Sequence, residues 1–266
     1  MSERKMFESF SSPYRTIERE SHKIIFISCE GSVTEEEYFN MFSALYPKIQ
    51  NRIHFVSVKE DILSIPVEKR TEAQNKELRK SSPDQLLKKL LDFRNDPTKK
   101  AKYDFDNYDE DEFWIIADID DHTEGGKLRS WNNTLSQCDS NGCKYAISNP
   151  FFEIWLLLHH DDALTDEDDP NSDSHWAVTD SHKYEKTSHF TDRLNDLGFP
   201  LSPDQPDLPP KHINPEHYTK EKIKNAIDRA KKLDTPPCTV YPTTLGTTVY
   251  KLVKSIVEID DRYEAN

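Results

Sequence analysis

Phe113-Trp-Ile-Ile-Ala-Asp-Ile-Asp-Asp-His122 is the stretch that decides the fold. Its first half is a short apolar run rich in aromatic and branched side chains. Such a run predicts a buried strand at the centre of a parallel sheet. Its second half holds Asp118, Asp120 and Asp121, followed by His122. Side chains alternate along a strand, so Asp118 and Asp120 are expected on one side. Two ionised carboxylates side by side repel, and burial makes the repulsion worse. A divalent cation is the simplest way to make the pair favourable. The C-terminal end of a strand is also where open α/β sheets bind ligands. The competing reading is the start of a solvated acidic loop. A lone D-x-D weighs equally for both, so the rest of the chain must decide.

Upstream, Lys23-Ile-Ile-Phe-Ile-Ser-Cys29 reads as the first strand, closed by Glu30-Gly31. Gly31 permits a tight turn into a helix. Thr34 with Glu37 fits a capping box, so that helix is predicted to start there. Phe39, Phe42, Ala44 and Tyr46 give it an apolar side. Glu35 and Glu36 fall in its first turn, where acids complement the helix dipole by roughly 0.3–1 kcal/mol each. That ordinary role suffices for Glu36 and Glu37. It cannot apply to Glu30, which precedes the helix.

Ile53 to Val58 reads as a second strand, and Glu68 to Lys80 as an exposed helix or insertion. Ser82-Pro83 opens a helix with proline in its first turn. Leu86, Leu87, Leu90, Leu91 and Phe93 face inward at helical spacing. Asn95 to Glu112 reads as a polar connection. After the central strand come a helix around Leu128 to Cys138 and a strand at Lys144 to Ser148. Asn149 then caps a very apolar helix, with Pro150 next. Glu153 lies one position beyond the capping-box site, amid Phe151, Phe152, Ile154 and Trp155. An acid so surrounded must be paired with a base, protonated or bound to a metal.

His160 to Trp176 is an acidic loop. Lys183 to Leu197 carries a short helix, and Gly198 to Pro215 is proline-rich. A helix over about Glu216 to Leu233 sets Ile223, Ala226, Ile227 and Ala230 on one face. Lys220, Lys222, Lys224, Arg229, Lys231 and Lys232 decorate the rest, as on a solvated face. A last helix is expected over Thr247 to Tyr263. Strands alternating with helices imply a parallel α/β sheet. Glu30, Asp118, Asp120 and Glu153 then all sit at or just beyond strand ends and can converge on one sheet edge. No strand or helix periodicity requires four acids there, whereas a divalent-metal site does.

Composition narrows the function. The 266 residues are 35% hydrophobic and 32% charged, enough for one α/β domain with an elaboration. The expected division is an N-terminal arm over 1–20, a metal-binding core over 21–160, and an acidic loop with a helical lobe over 161–266. Arg4, Arg15 and Arg19 mark the arm. Neither a dinucleotide-binding glycine fingerprint nor a P-loop occurs. The net charge of -14 disfavours indiscriminate binding to nucleic acid or membrane. Cys29, Cys138, Cys143 and Cys238 form no C-x-x-C pair. Cys29 reads as a buried thiol, and zinc through Cys138 and Cys143 is disfavoured. The sequence shows no signal peptide and no bilayer-length apolar run, so a reducing cytoplasm is expected.

A glutamate after the first strand and a D-x-D after a later one resemble Toprim domains of topoisomerases, primases and OLD-type nucleases. The match is closer to the RloB-like family, which includes the AbiLii abortive-infection proteins. Cys29-Glu-Gly-Ser-Val-Thr-Glu-Glu-Glu-Tyr-Phe39, Ala117-Asp-Ile-Asp-Asp-His122 and Ser148-Asn-Pro-Phe-Phe-Glu-Ile-Trp-Leu-Leu-Leu-His159 carry it, with Thr239 to Tyr250. The segment Glu68 to Lys80 and the acidic loop look like local expansions. The resemblance implies a Mg²⁺- or Mn²⁺-dependent nuclease of anti-phage defence, encoded beside an ABC- or SMC-like ATPase. On that reading Glu30, Glu35, Asp118 and Asp120 hold metal. Glu153 holds metal or orients the attacking water, and Lys186, or else Lys222, stabilises developing charge. The substrate would be DNA or RNA, tRNA included. A catalytically silent partner of the ATPase is the alternative. A DxD phosphatase ranks lower, since it needs its D-x-D on the first strand.

Overall fold

The computed structural model describes residues 23–31, 33–56, 65–66, 69–72, 74, 82–119, 126–160, 194, 197, 213–234, 237, 240–243 and 245–264. Strands β1 (Ile25–Cys29), β2 (Ile53–Phe55), β3 (Glu112–Asp118), β4 (Lys144–Asn149) and β5 (Gly246–Thr247) form one sheet in the order β2-β1-β3-β4-β5. The first four are parallel, and β5 is antiparallel to β4. Helices flank it: α1 (Thr34–Leu45), α2 (Pro83–Asn95), α3 (Pro97–Tyr103), α4 (Gly126–Ser140), α5 (Glu153–Leu157), α6 (Lys220–Leu233) and α7 (Val249–Glu264). This is the expected α/β architecture, consistent with a Toprim-like fold, with an antiparallel edge in place of the all-parallel sheet. No helix of the described residues is long and apolar enough to cross a membrane.

The sheet is buried on both faces, which explains why its strands read as nearly continuous apolar runs. On one face, Ile25, Ile27, Trp114, Ile116 and Ala146 pack against α1, α5, α6 and α7. On the other, Phe26, Phe113, Ile115, Ala117 and Ile147 pack against α2 and α4. Alternation along β3 assigns Asp118 to the side of Trp114 and Ile116, the side of α1 and α5. Strand order reverses between β1 and β3, because β2 lies to one side of β1 while β3 and β4 lie to the other. That reversal point is the expected ligand crevice of an open α/β sheet. Glu30 and Asp118 stand at its two lips.

Several local expectations give way to tertiary packing. Residue Val33, not Thr34, is the N-cap of α1, with no side-chain cap hydrogen bond. Glu37 instead accepts from the Ile213 backbone N–H at 2.8 Å, tying α1 to the C-terminal half. Tyr38 and Met41 join Phe39 and Phe42 in the buried face of α1, whereas Ala44 is exposed. The connection before β3 is not merely polar: Pro97–Tyr103 is helical, capped by Asp96, and it buries Tyr103. Asn149 ends β4 rather than capping a helix, and its side-chain N–H donates to Pro242 O at 3.0 Å. Only Glu153–Leu157 of the apolar run is α-helical. Thr219 caps α6 after a separate 3-10 turn at Pro215–His217. Thr247 belongs to β5, so the last helix starts two residues later.

The opposite, N-terminal edge is fastened by Glu112. Its carboxylate takes Lys23 Nζ at 2.7 Å, Lys144 Nζ at 2.6 Å, Ser255 Oγ at 2.7 Å and Trp114 Nε1 at 2.8 Å. One side chain thus joins the lead-in to β1, the starts of β3 and β4, and α7. Burial alone would raise its pKa, but the bonds from Lys144, Lys23, Ser255 and Trp114 outweigh it and hold the group at about 2. A carboxylate depressed in the fold stabilises it above the unfolded pKa and loses that contribution as pH falls through the folded value. Glu112→Gln should therefore lower stability at pH 7 by about 2 kcal/mol, allowing for solvent screening. Denaturant melts should also show a smaller loss between pH 4.5 and pH 2 in the variant than in the parent. Equal melts at pH 7 would remove Glu112 from this role.

Candidate metal centre

Four carboxylates meet at the crevice. Glu30 follows β1, Glu35 lies in the first turn of α1, Asp118 ends β3, and Glu153 opens α5. Glu30 is tied to the sheet edge twice: its N–H donates to Ile116 O at 3.1 Å, and its Oε2 accepts from Asp118 N at a long 3.4 Å. Glu35 is buried, and its Oε1 accepts from Gly31 N at 2.9 Å. A β-carbon at position 31 would fall inside the Glu35 carboxyl group. A side chain there would displace the Glu35 carboxyl from the Gly31 amide, a role for glycine beyond the tight turn that the sequence suggests.

The electrostatics record the crowding. Asp118 keeps some solvent contact as a residue, but its carboxyl is enclosed, and Oδ1 has no hydrogen-bond partner. Burial first, then repulsion from Glu153, Glu35 and Glu30, raises its pKa well above the usual carboxylate range. A hydrogen bond from the Phe152 backbone offsets this in part. Glu153 is likewise enclosed at its carboxyl, and burial with added repulsion from Glu35 pushes it to about 7. Its own backbone N–H opposes the shift. A buried, unpartnered carboxylate oxygen among like charges needs a proton or a cation.

Among the described residues, no group of three His, Cys, Asp or Glu side chains is arranged to hold a metal ion. Glu35 is turned to the Gly31 amide and Glu30 to the Asp118 amide. The donor set is nevertheless all carboxylate, and hard divalent cations take oxygen ligands. The orphaned Asp118 Oδ1 is the atom such an ion would satisfy. In donor chemistry, though not in their present arrangement, these residues suit Mg²⁺ or Mn²⁺. Elsewhere, burial pushes the Cys138 thiol up to about 12 and raises that of Cys143. Cys29 is half-buried, and its Sγ donates to Gly31 O at 3.0 Å.

The structure thus brings together Glu30, Glu35, Asp118 and Glu153. Asp120, Asp121, His122, Lys186, the acidic loop after His160, the arm over 1–20 and Cys238 lie outside the described residues, as does most of Glu68 to Lys80. Lys222 is half-buried on α6. Sequence reasoning assigned no role to Tyr38 or His159, whose buried contact underlies the site. The signal was a polar pair spaced among phenylalanines and tryptophan, which periodicity alone reads as core.

A family model described as RloB-like protein matches residues 25–256. The chain belongs to the RloB-like family. No curated protein and no solved structure matches it. The matched span of this RloB-like chain begins at β1 and ends within α7, so it includes all four carboxylates.

The raised acids have a signed consequence. A carboxyl whose folded pKa is raised contributes stability below its unfolded value and loses it as pH rises through the folded one. For Glu153 that window runs from 4.5 to about 7. Metal-free Glu153→Gln should melt higher than the parent at pH 8, by up to about 2 kcal/mol, and equally at pH 4. A variant that melts lower at pH 8 would contradict the crowding described.

Proposed function

We propose that this chain is a divalent-metal-dependent endonuclease with a Toprim-type site, hydrolysing phosphodiesters of DNA or RNA, tRNA included. The observation that carries the reading is the enclosed, unpartnered Asp118 Oδ1 facing three further carboxylates at the reversal point of the sheet. Glu30, Glu35 and Asp118, with Asp120 by sequence, would hold Mg²⁺ or Mn²⁺. A bound ion supplies charge neutralisation at the phosphate and a water acidic enough to react at neutral pH.

The remaining work falls to side chains. Glu153, pushed to about 7, has the basicity of a general base at neutral pH. It would take the proton as water oxygen bonds to phosphorus, while the phosphorus–oxygen bond to the leaving alkoxide breaks and solvent protonates the alkoxide. Enclosure of the carboxyls keeps the site poorly solvated, which strengthens charge interactions there. Lys186 is assigned by sequence to stabilise charge on the phosphate. The family resemblance supports a cytoplasmic anti-phage role beside an ABC- or SMC-like ATPase. With a net charge of -14, the chain alone repels polyphosphate from most of its surface. A partner that contributes positive surface would relieve this.

Labelled DNA and RNA incubated with Mn²⁺, with and without the neighbouring ATPase, provide the test. Cleavage by the parent should vanish with chelator and fall at least about a hundredfold in Asp118→Asn. Full activity of Asp118→Asn, or no cleavage of any substrate with the ATPase present, would reject the nuclease reading.

A further inference from the structure

Beneath the carboxylates lies a polar contact with no part in the scheme above. Tyr38 Oη is 2.9 Å from His159 Nε2, and His159 Nδ1 is 2.9 Å from the Trp155 carbonyl oxygen. A carbonyl only accepts, so Nδ1 carries the proton and donates to it. Nε2 is then the acceptor, and the Tyr38 hydroxyl donates. Burial drives the His159 pKa down to about 3, so the ring stays neutral and this direction holds at neutral pH. Both side chains are fully buried. Tyr218 encloses them, with ring centroids 5.4 Å from Tyr38 and 4.9 Å from His159.

The placement of the pair gives it a consequence. Tyr38 is one helical turn beyond Glu35 on α1. His159 folds back on α5, whose first residue is Glu153. The hydrogen bond therefore joins the two helices that carry Glu35 and Glu153, two acids that repel each other. A helix of five residues has little hold on its own orientation. Its far end is also anchored by Arg229, which donates to Leu158 O at 2.7 Å. Packing alone does not call for a hydroxyl here, since Phe39, Phe42 and Phe152 fill the same core.

We propose that Tyr38 and His159 are positioning residues whose hydrogen bond fixes the spacing of Glu35 and Glu153, and so selects a small divalent cation over Ca²⁺. The proposal rests on the metal reading given above and deepens it. Mg²⁺ demands near-octahedral oxygens at about 2.0–2.1 Å, whereas Ca²⁺ accepts six to eight at roughly 2.3–2.6 Å in flexible geometry. Glu35 is a ligand and Glu153 closes the site beside it, so bracing their two helices holds the space at the size of the smaller ion. Slackened helices lose that preference but leave the ligand oxygens open to Ca²⁺.

Calorimetric titration of the metal-free full chain with Mn²⁺ and with Ca²⁺ tests this, below the melting temperature of every variant. Tyr38→Phe keeps the ring and removes the donor. Its Mn²⁺ affinity should fall about tenfold, as for lost outer-shell partners, with Ca²⁺ affinity held within about threefold. His159→Asn, too short to span the gap, should lower the Mn²⁺-to-Ca²⁺ ratio likewise. Phe26→Leu, in the core on the other face of the sheet, lowers stability without touching α1 or α5 and should leave the ratio unchanged. An unchanged ratio in both Tyr38→Phe and His159→Asn, or an equal loss for both ions, overturns the proposal while leaving the metal reading intact. A parent that binds neither ion overturns both.

Discussion

The mutual repulsion of four carboxylates in a poorly solvated crevice is the constraint to which the rest of the structure answers. Glu30, Glu35, Asp118 and Glu153 come from four different segments, so no local preference gathers them. The fold gathers them by burying apolar side chains on both faces of the sheet, through α1 and α5 on one side and α2 and α4 on the other. Hydrophobic burial of this extent, at roughly 25 cal/mol per Å², easily outweighs the unfavourable charge contacts. Protonation of Asp118 and Glu153 relieves the remainder in the metal-free chain.

The two ends of the sheet illustrate opposite solutions to the same problem. At the N-terminal edge, Glu112 is surrounded by Lys23, Lys144, Ser255 and Trp114, and it stays ionised well into acid. At the C-terminal edge, Asp118 has one backbone donor and three like charges. Both carboxylates lie on the same strand, Glu112–Asp118, only six positions apart. A stabilising role accounts for the first. The second destabilises the metal-free protein, which is the pattern of a site shaped for a ligand.

Much of this was legible in the sequence. The run Phe113 to Ala117 is apolar because both of its faces are covered, and the two acids after it stand out against that background. Glu30 could be read because it precedes the helix, and Glu153 because an acid amid Phe152, Ile154 and Trp155 has no solvated role. What could not be read depends on contacts distant along the chain. Thr34 and Glu37 match a capping box, but Ile213 claims Glu37. Asn149 before proline matches a helix cap, yet it pairs with Gly246 in β5. Gly31 looks like a turn residue, and only the position of the Glu35 carboxyl reveals how closely that side chain approaches it. A two-residue antiparallel strand leaves almost no periodic signal, so Thr247 merged with the following helix.

Asp118 Oδ1 has no hydrogen-bond partner, and on the proposed function a divalent cation takes that place. Anomalous diffraction from crystals of the chain grown with Mn²⁺ measures this directly. An anomalous peak is expected at ligand distance, about 2.0–2.2 Å, from an Asp118 carboxylate oxygen, with Glu30 or Glu35 turned from its backbone amide toward the same ion. Ordered density for all four carboxylates with no anomalous peak among them, at saturating Mn²⁺ and neutral pH, would contradict it.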